Sequence, residues 1–323
     1  ESRALDILGT TAMYRGDYAR AQSLHQRCLE RAQTIGNTHM VAVVLNNLGN
    51  DAYCLGHLDA AFESYRQAVE LNRTTGYKPS LRTALGNLGN VALMLGKYSE
   101  AQELYRESLQ VAREIGTDHG MAHALYQMGV VAFEQDDFEE AERLHRESLA
   151  IHRRTGERRG QGLTLTALGR VLQARHQVED AQRCYRESEQ LFRDIGERWG
   201  LADTLSTLGA ACLELGDRRK GREALREALL LALDIKVDRL MLEACEGYGK
   251  LLDALGEDAA CVRIFRMLAT HPAAGQRTKQ YATERLPRVS ARLSKRELES
   301  IEEQCRTLTL DGLAKEILAD DRC

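Results

Sequence analysis

Residues 45–69 read LNNLGNDAYCLGHLDAAFESYRQAV, and this stretch decides the fold. Leu45, Leu48, Ala52 and Leu55 recur at spacings of three and four, which is one face of a helix. Gly56 follows where a glycine just past a helix end belongs. A second run, Leu58, Ala61, Phe62, Tyr65, Ala68 and Val69, has helical spacing again, and Gly76 ends it. The first helix (A) spans about four turns and the second (B) about five, at 3.6 residues per turn.

The same pattern extends along the chain in both directions. Gly9, Gly49, Gly89, Gly129, Gly169, Gly209 and Gly249 stand 40 residues apart, each after a large residue: Leu8, Leu48, Leu88, Met128, Leu168, Leu208 and Tyr248. A second glycine column holds Gly16, Gly56, Gly96, Gly216 and Gly256, with Asp136 and His176 in its gaps. Small residues follow at Ala21, Ala61, Ala101, Ala141, Ala181, Gly221 and Cys261, and a third glycine column runs from Gly36 to Gly196. A glycine inside helix A costs about 1 kcal/mol of helix propensity against alanine. Its repetition predicts a helix–helix contact too close for a side chain. One helix pair cannot bury its apolar face alone, so seven of them predict a solenoid held by nearest-neighbour contacts.

Composition agrees. Three prolines and 5% aromatic residues in 323 argue against a β-sandwich or barrel, and abundant Ala, Leu, Glu and Arg favour helix. The 44 basic and 48 acidic residues give a net charge of −4, without the basic excess that nucleic acid or an anionic membrane would require. No apolar run reaches 18 residues and no signal peptide is visible, so a cytoplasmic location is expected. The chain opens on Glu1 in mid-pattern, which reads as part of a longer parent protein.

Leu88–Gly89 and Ala92 in helix A, with Ala101, Tyr105 and Ser108 in helix B, resemble the tetratricopeptide repeat. The resemblance covers roughly residues 1–270. The 40-residue period departs from the commoner shorter unit, and the family's proline after helix B is missing. Longer units of this kind are similar to those of kinesin light chain. They also resemble bacterial sensor arrays that follow NTPase modules in signal-transduction ATPases and maltose-activator-type transcription regulators. The resemblance implies a right-handed superhelical, all-α solenoid of seven helix-turn-helix repeats over 1–270, with a concave groove lined by helix A. A helical C-terminal capping segment is expected over 271–323.

His271-Pro272 ends helix B of the seventh repeat, and helices are expected at 276–292, 294–304 and Leu310–Leu318. Ser294-Lys295-Arg296-Glu297 reads as a capping box. The segment from Leu293 to Glu297 also resembles the opening of LuxR-like DNA-binding domains, but Cys323 arrives before a recognition helix could follow, so no nucleic-acid partner is expected.

Chemistry is sparse. Gly247-Tyr248-Gly249-Lys250 lies inside a helix A and lacks the strand-to-helix loop of a phosphate cradle. The eight cysteines form no C-x-x-C pair. Cys28, Cys212, Cys245 and Cys261 occupy columns of small or apolar residues, which fits a reducing compartment. His119 and His123 are four apart but have no third ligand, so no metal is expected. His25 and His145 share the column of Tyr65, Tyr105 and Tyr185 and read as packing residues. The basic runs Arg153, Arg154, Arg158, Arg159 and Arg218, Arg219, Lys220, Arg222 have acids nearby and read as solvated surface. No catalytic set, and no cofactor, is expected.

The other face of helix A carries the functional signal. It holds Val43, Asn46, Asn47, Asn50, Tyr53 and Cys54 in the second repeat. The third presents Thr83, Gly86, Asn87, Asn90, Leu93 and Met94, and the fourth His123, Tyr126, Gln127, Val130, Phe133 and Glu134. One of these eighteen is charged, where the chain average of 28% would give about five. An amide side chain offers both donor and acceptor to a peptide backbone at no charge-desolvation cost. Candidate ligand residues are therefore Asn46, Asn47, Asn50, Tyr53, Asn87, Asn90, Met94, His123, Tyr126, Gln127, Phe133 and, in the fifth repeat, Arg170. Bridging between neighbouring helices is the competing role for the amides. The later repeats turn charged, with Asp203, Glu214, Glu243, Glu246, Lys250 and Asp253, which would give a ligand direction. The expected function is binding of a protein or an extended peptide by a sensor or scaffold region of a larger signalling protein. A stand-alone adaptor and a small-molecule-sensing domain of a transcription regulator are the alternatives. Stacking of open solenoid ends would allow self-association.

Overall fold

The computed structural model describes residues 2–319, which form seventeen helices and no strand. It is an all-α repeat solenoid whose described residues fall into two compact halves, dividing after Gly156. In the first half, α1 (Ser2–Tyr14) pairs with α2 (Tyr18–Thr34), α3 (Thr38–Cys54) with α4 (Leu58–Thr75), α5 (Lys78–Met94) with α6 (Tyr98–Glu114), and α7 (Asp118–Glu134) with α8 (Phe138–Thr155). In the second, α9 (Arg158–Ala174) pairs with α10 (Val178–Ile195), α11 (Arg198–Glu214) with α12 (Arg218–Ile235), and α13 (Asp238–Leu255) with α14 (Asp258–Thr270). The sequence division at 270/271 is a different one and falls inside the second half. There α15 (Gln276–Ser290), α16 (Lys295–Cys305) and α17 (Leu310–Ala319) follow.

Each hairpin is cut by the same local chemistry. The turn from A to B places Gly16, Gly56, Gly96, Gly216 and Gly256 at φ between 72° and 79°, where a Cβ would be strained. Asp136 and His176 fill that position in the other two full turns and take the same left-handed conformation at φ 61°. Asp17, Asp137 and Asp217 then cap α2, α8 and α12, each accepting from a backbone N–H three residues on.

The helix-A glycines meet rings. A Cβ at Gly89 would sit 2.6 Å from the Tyr105 ring, and one at Gly129 equally close to the His145 ring. Gly9 faces His25, Gly49 faces Tyr65, Gly169 faces Tyr185 and Gly249 faces Phe265. The ring lies sixteen residues after its glycine in these six hairpins, which close by laying an aromatic side chain across bare helix backbone; in the sixth repeat Leu225 takes the place of the ring against Gly209. His25 and His145 are buried packing residues at this position. Helix B adds a second recurrent tie: Cys28 Sγ donates to the Ser2 carbonyl, Ser108 Oγ to that of Arg82, Ser148 Oγ to that of Ala122 and Ser188 Oγ to that of Gly162.

Within each half, successive A helices also touch one another: α1, α3, α5 and α7 in the first, and α9, α11 and α13 in the second. The A layer is the tightly spaced one, so its outward face is the inner face of each half.

At the C-terminal end, α15 packs on α13 and α14, α16 on α14, and α17 on α12 and α13. The α17 side chains Leu310, Leu313, Ala314 and Ile317 are buried, and Arg226 on α12 donates to the Leu318 carbonyl at 2.7 Å. The capping box at Ser294 is formed in full.

Candidate functional site

All the candidate ligand residues except Arg170 lie on α3, α5 and α7 of the first half. The structure bonds five of them to one another and a sixth, Asn47, to Asp6. Asn87 Nδ2 donates to Asn46 Oδ1 at 3.1 Å and to Asn50 Oδ1 at 3.4 Å. One repeat on, Gln127 Nε2 donates to Asn90 Oδ1 at 2.8 Å. One repeat back, Asn47 Nδ2 donates to Asp6 Oδ1 at 2.8 Å. The buried rings complete the pattern: Tyr65 Oη donates to Asn50 Oδ1 and Tyr105 Oη to Asn90 Oδ1, both at 2.7 Å. The tyrosine therefore crosses helix A over its glycine and emerges at the amide on the inner face. Burial pushes both phenols well above their usual range, so they stay protonated and donate.

This arrangement fixes which groups remain. Asn50 and Asn90 spend their carbonyl oxygens on two donors each, and their amide N–H groups have no partner among the described residues. Asn47, Asn87 and Gln127 spend a donor, and their oxygens are likewise unpartnered. All five are half-buried. The inner face so presents N–H donors in one column and C=O acceptors in the next, repeated along the stacked helices.

Tyr53 and Met94 are exposed at the C-terminal ends of α3 and α5. Tyr126 lies with its ring centroid 5.6 Å from that of His145, and Phe133 packs 5.7 Å from Phe138. The His123 imidazole is held down at about 4, first by burial and then by His119, Arg82 and His152 around it. Among the described residues no group of three His, Cys, Asp or Glu side chains is placed to hold a metal ion.

Arg170, in the second half, belongs to a charged cluster on the same columns. Its guanidinium lies 2.8 Å from Asp203 Oδ1 on α11 and 3.7 Å from Glu243 Oε2 on α13. Arg239 pairs with Glu243, reaches to 3.7 Å from Asp203 and stacks over the Trp199 ring. Deeper along α13, Lys250 pairs with Glu246 at 2.8 Å, and Glu246 accepts from Thr278 of α15. Both basic runs are engaged with acids: Arg154 with Asp118, Arg158 with Asp194, Arg219 with Glu223 and Lys220 with Asp217.

Sequence reasoning found the amide columns but not their mutual bonds, although the matching spacings of Tyr65 to Asn50 and Tyr105 to Asn90 were readable. It also missed the buried His25–Asp51 pair, 2.6 Å apart. Asp51 stands where Val91, Val131 and Val171 stand in other repeats, and that break in an apolar column was the available signal.

The tetratricopeptide repeat family model matches residues 1–74 and 80–154. No curated protein matches the sequence. Among solved structures, the fold is similar to the apo form of the quorum sensor NprR from B. thuringiensis, with 12% identity, 98% of this chain and 87% of that chain covered, and a TM-score of 0.65. It is also similar to the Rap conjugation gene regulator of the plasmid pLS20 in complex with the Phr* peptide, with 16% identity, coverage of 90% and 75%, and a TM-score of 0.62. BtubC (BKLC) from P. vanneervenii shares 18% identity over 68% of this chain and 92% of its own, with a TM-score of 0.58.

Proposed function

The chain carries a tetratricopeptide-repeat array, and from that premise we propose that its inner face binds an extended peptide segment, as part of a larger cytoplasmic signalling protein. The reading is one of recognition and not catalysis. Its carrying observation is the pairing of leftover groups on α3, α5 and α7: N–H donors at Asn50 and Asn90, C=O acceptors at Asn47, Asn87 and Gln127. An extended peptide exposes the complementary groups, and neutral amides meet them without stranding a charge. A similar fold solved with a bound peptide supports this reading.

Alanine is a poor probe here, because Asn90→Ala would strand Tyr105 Oη and Gln127 Nε2 and cost about 1–3 kcal/mol of stability. Aspartate keeps the accepting oxygen, replaces the N–H donors with a second oxygen and adds a negative charge. The test is to select a peptide by display against the whole chain and titrate it against wild type and the Asn50→Asp/Asn90→Asp double variant. With about 0.5–1.5 kcal/mol per lost hydrogen bond, affinity should fall about 10–100-fold while the melting temperature holds. Unchanged affinity would remove the amides from the binding face and leave them as ties between helices.

A further inference from the structure

Arg82 breaks a rule of the array. Its column holds Ala42, Ala122, Gly162, Ala202 and Leu242, all buried, yet here it holds a half-buried arginine. The neighbouring repeat makes room for it. A Cβ at Gly120 on α7 would lie 2.8 Å from Arg82 Cδ. The guanidinium extends to the inner face, where Nη2 donates to Thr83 Oγ1 at 3.1 Å. No carboxylate lies within ion-pair distance of it among the described residues. Acids of the neighbouring helices α6 and α7 are engaged elsewhere: Glu114 with Lys78, Glu107 with Arg73, Asp118 with Arg154.

What it faces on α7 is basic. His123 has Arg82, His119 and the buried His152 of α8 as its charged or ionisable neighbours. α6 contributes the neutral Ser108 and Ala112. Gly86, one turn along α5 from Arg82, is buried and leaves a small gap beside His123: a Cβ there would be 3.9 Å from His123 Cε1, an ordinary contact that displaces nothing. The other repeats carry a side chain at that position. A partly desolvated guanidinium without a counter-ion is costly unless something outside the chain supplies one.

We propose that Arg82, His119 and His123, around the notch at Gly86, form a receptor for an oxyanion, a carboxylate or a phosphoryl group, carried by the ligand of the inner face. The arginine fork gives two parallel N–H bonds to such a group, and the imidazoles add N–H donors beside it. A bound anion favours the charged His123 imidazole, so affinity rises as pH falls. This subsite rests on the reading of the inner face as a ligand surface, and adds to it the chemistry of one ligand group.

The probes are inorganic phosphate and acetate, titrated separately into the whole chain at constant ionic strength and followed by the NMR resonances of the His119 and His123 rings. We expect a saturable shift with at least one of the two, and a His123 titration midpoint moved upward in its presence. The tighter anion identifies the ligand group. Arg82→Ala, which restores the residue that the column normally carries, should keep the melting temperature and weaken the anion at least tenfold. Arg82→Lys, which keeps the charge but loses the fork, should fall between. Absence of saturation with both anions, or equal binding by Arg82→Ala, overturns the subsite. Failure of the groove reading shows elsewhere, in peptide binding that ignores Asn50→Asp/Asn90→Asp.

Discussion

Single residues couple the packing of this array to its inner face. Gly89 exists to pass the Tyr105 ring, and that ring exists on this face as a hydroxyl bound to Asn90. Glu243 shows the same coupling in charge. Burial, and then the Asp203 carboxylate beside it, push its carboxyl up to about 7 against the pull of Arg170 and Arg239. Asp203 itself is held below its usual value by those two arginines in spite of burial. In the unfolded chain Glu243 ionises near 4.5. The folded state therefore binds more protons between these values, and its stability falls as pH rises from the lower to the upper. His123 and His145, both held near 4 by burial, act in the opposite sense below 6.5. The readout is thus the difference between wild type and Glu243→Gln in denaturant unfolding from pH 5 to 8. We expect the variant to gain on wild type as pH rises; a constant difference would remove Glu243 as a titrating site.

At the scale of the element, the hairpin turn is the repeated part. Five of its copies carry glycine, and His176 performs the same left-handed turn with a Cβ. That conformation costs an ordinary residue about 1–2 kcal/mol, which glycine avoids at about 0.5–1 kcal/mol of backbone entropy. His176→Gly should therefore stabilise the chain by up to about 1 kcal/mol, measured by chemical denaturation. A destabilised variant would mean that the imidazole makes a tie worth more than the strain.

For the whole molecule, the end of the array matters most. Phe265 of α14 meets Tyr281 of α15 edge to face, 6.0 Å apart, while Arg292 holds Asp253 and Asp258 and Arg266 holds Glu302. Cys261, Val262, Ile264, Phe265 and Leu268 of α14 are all buried. Our reading of residues 271–323 as the cap of a solenoid spanning 1–270 implies that deleting them opens this apolar surface. Solubility should drop, and hydrogen exchange should quicken in α11 to α14 before it does in α3 to α8. A truncated chain as stable and monodisperse as the parent would overturn the cap. Residues 320–323 of that segment lie outside the described residues.

The sequence by itself determined the repeat, its 40-residue period, the hairpin of two helices, the turn positions and the tail helices. All of these follow from local periodicity and from residues, such as Gly56 and Ser294, whose conformational preference is their own. It also marked the face of helix A that carries Asn47, Asn50, Asn87 and Asn90, since a shortage of charge is a matter of composition. Only the tertiary structure decided which amide atoms are spent and which are left. That depends on where the Tyr65 and Tyr105 hydroxyls arrive after crossing a glycine, and on how closely α3, α5 and α7 approach. The unpaired state of Arg82 and the raised carboxyl of Glu243 were hidden for the same reason. An arginine or a glutamate looks alike on any helix surface until its neighbours, tens of residues away in the chain, fix what it can pair with and how much water it keeps.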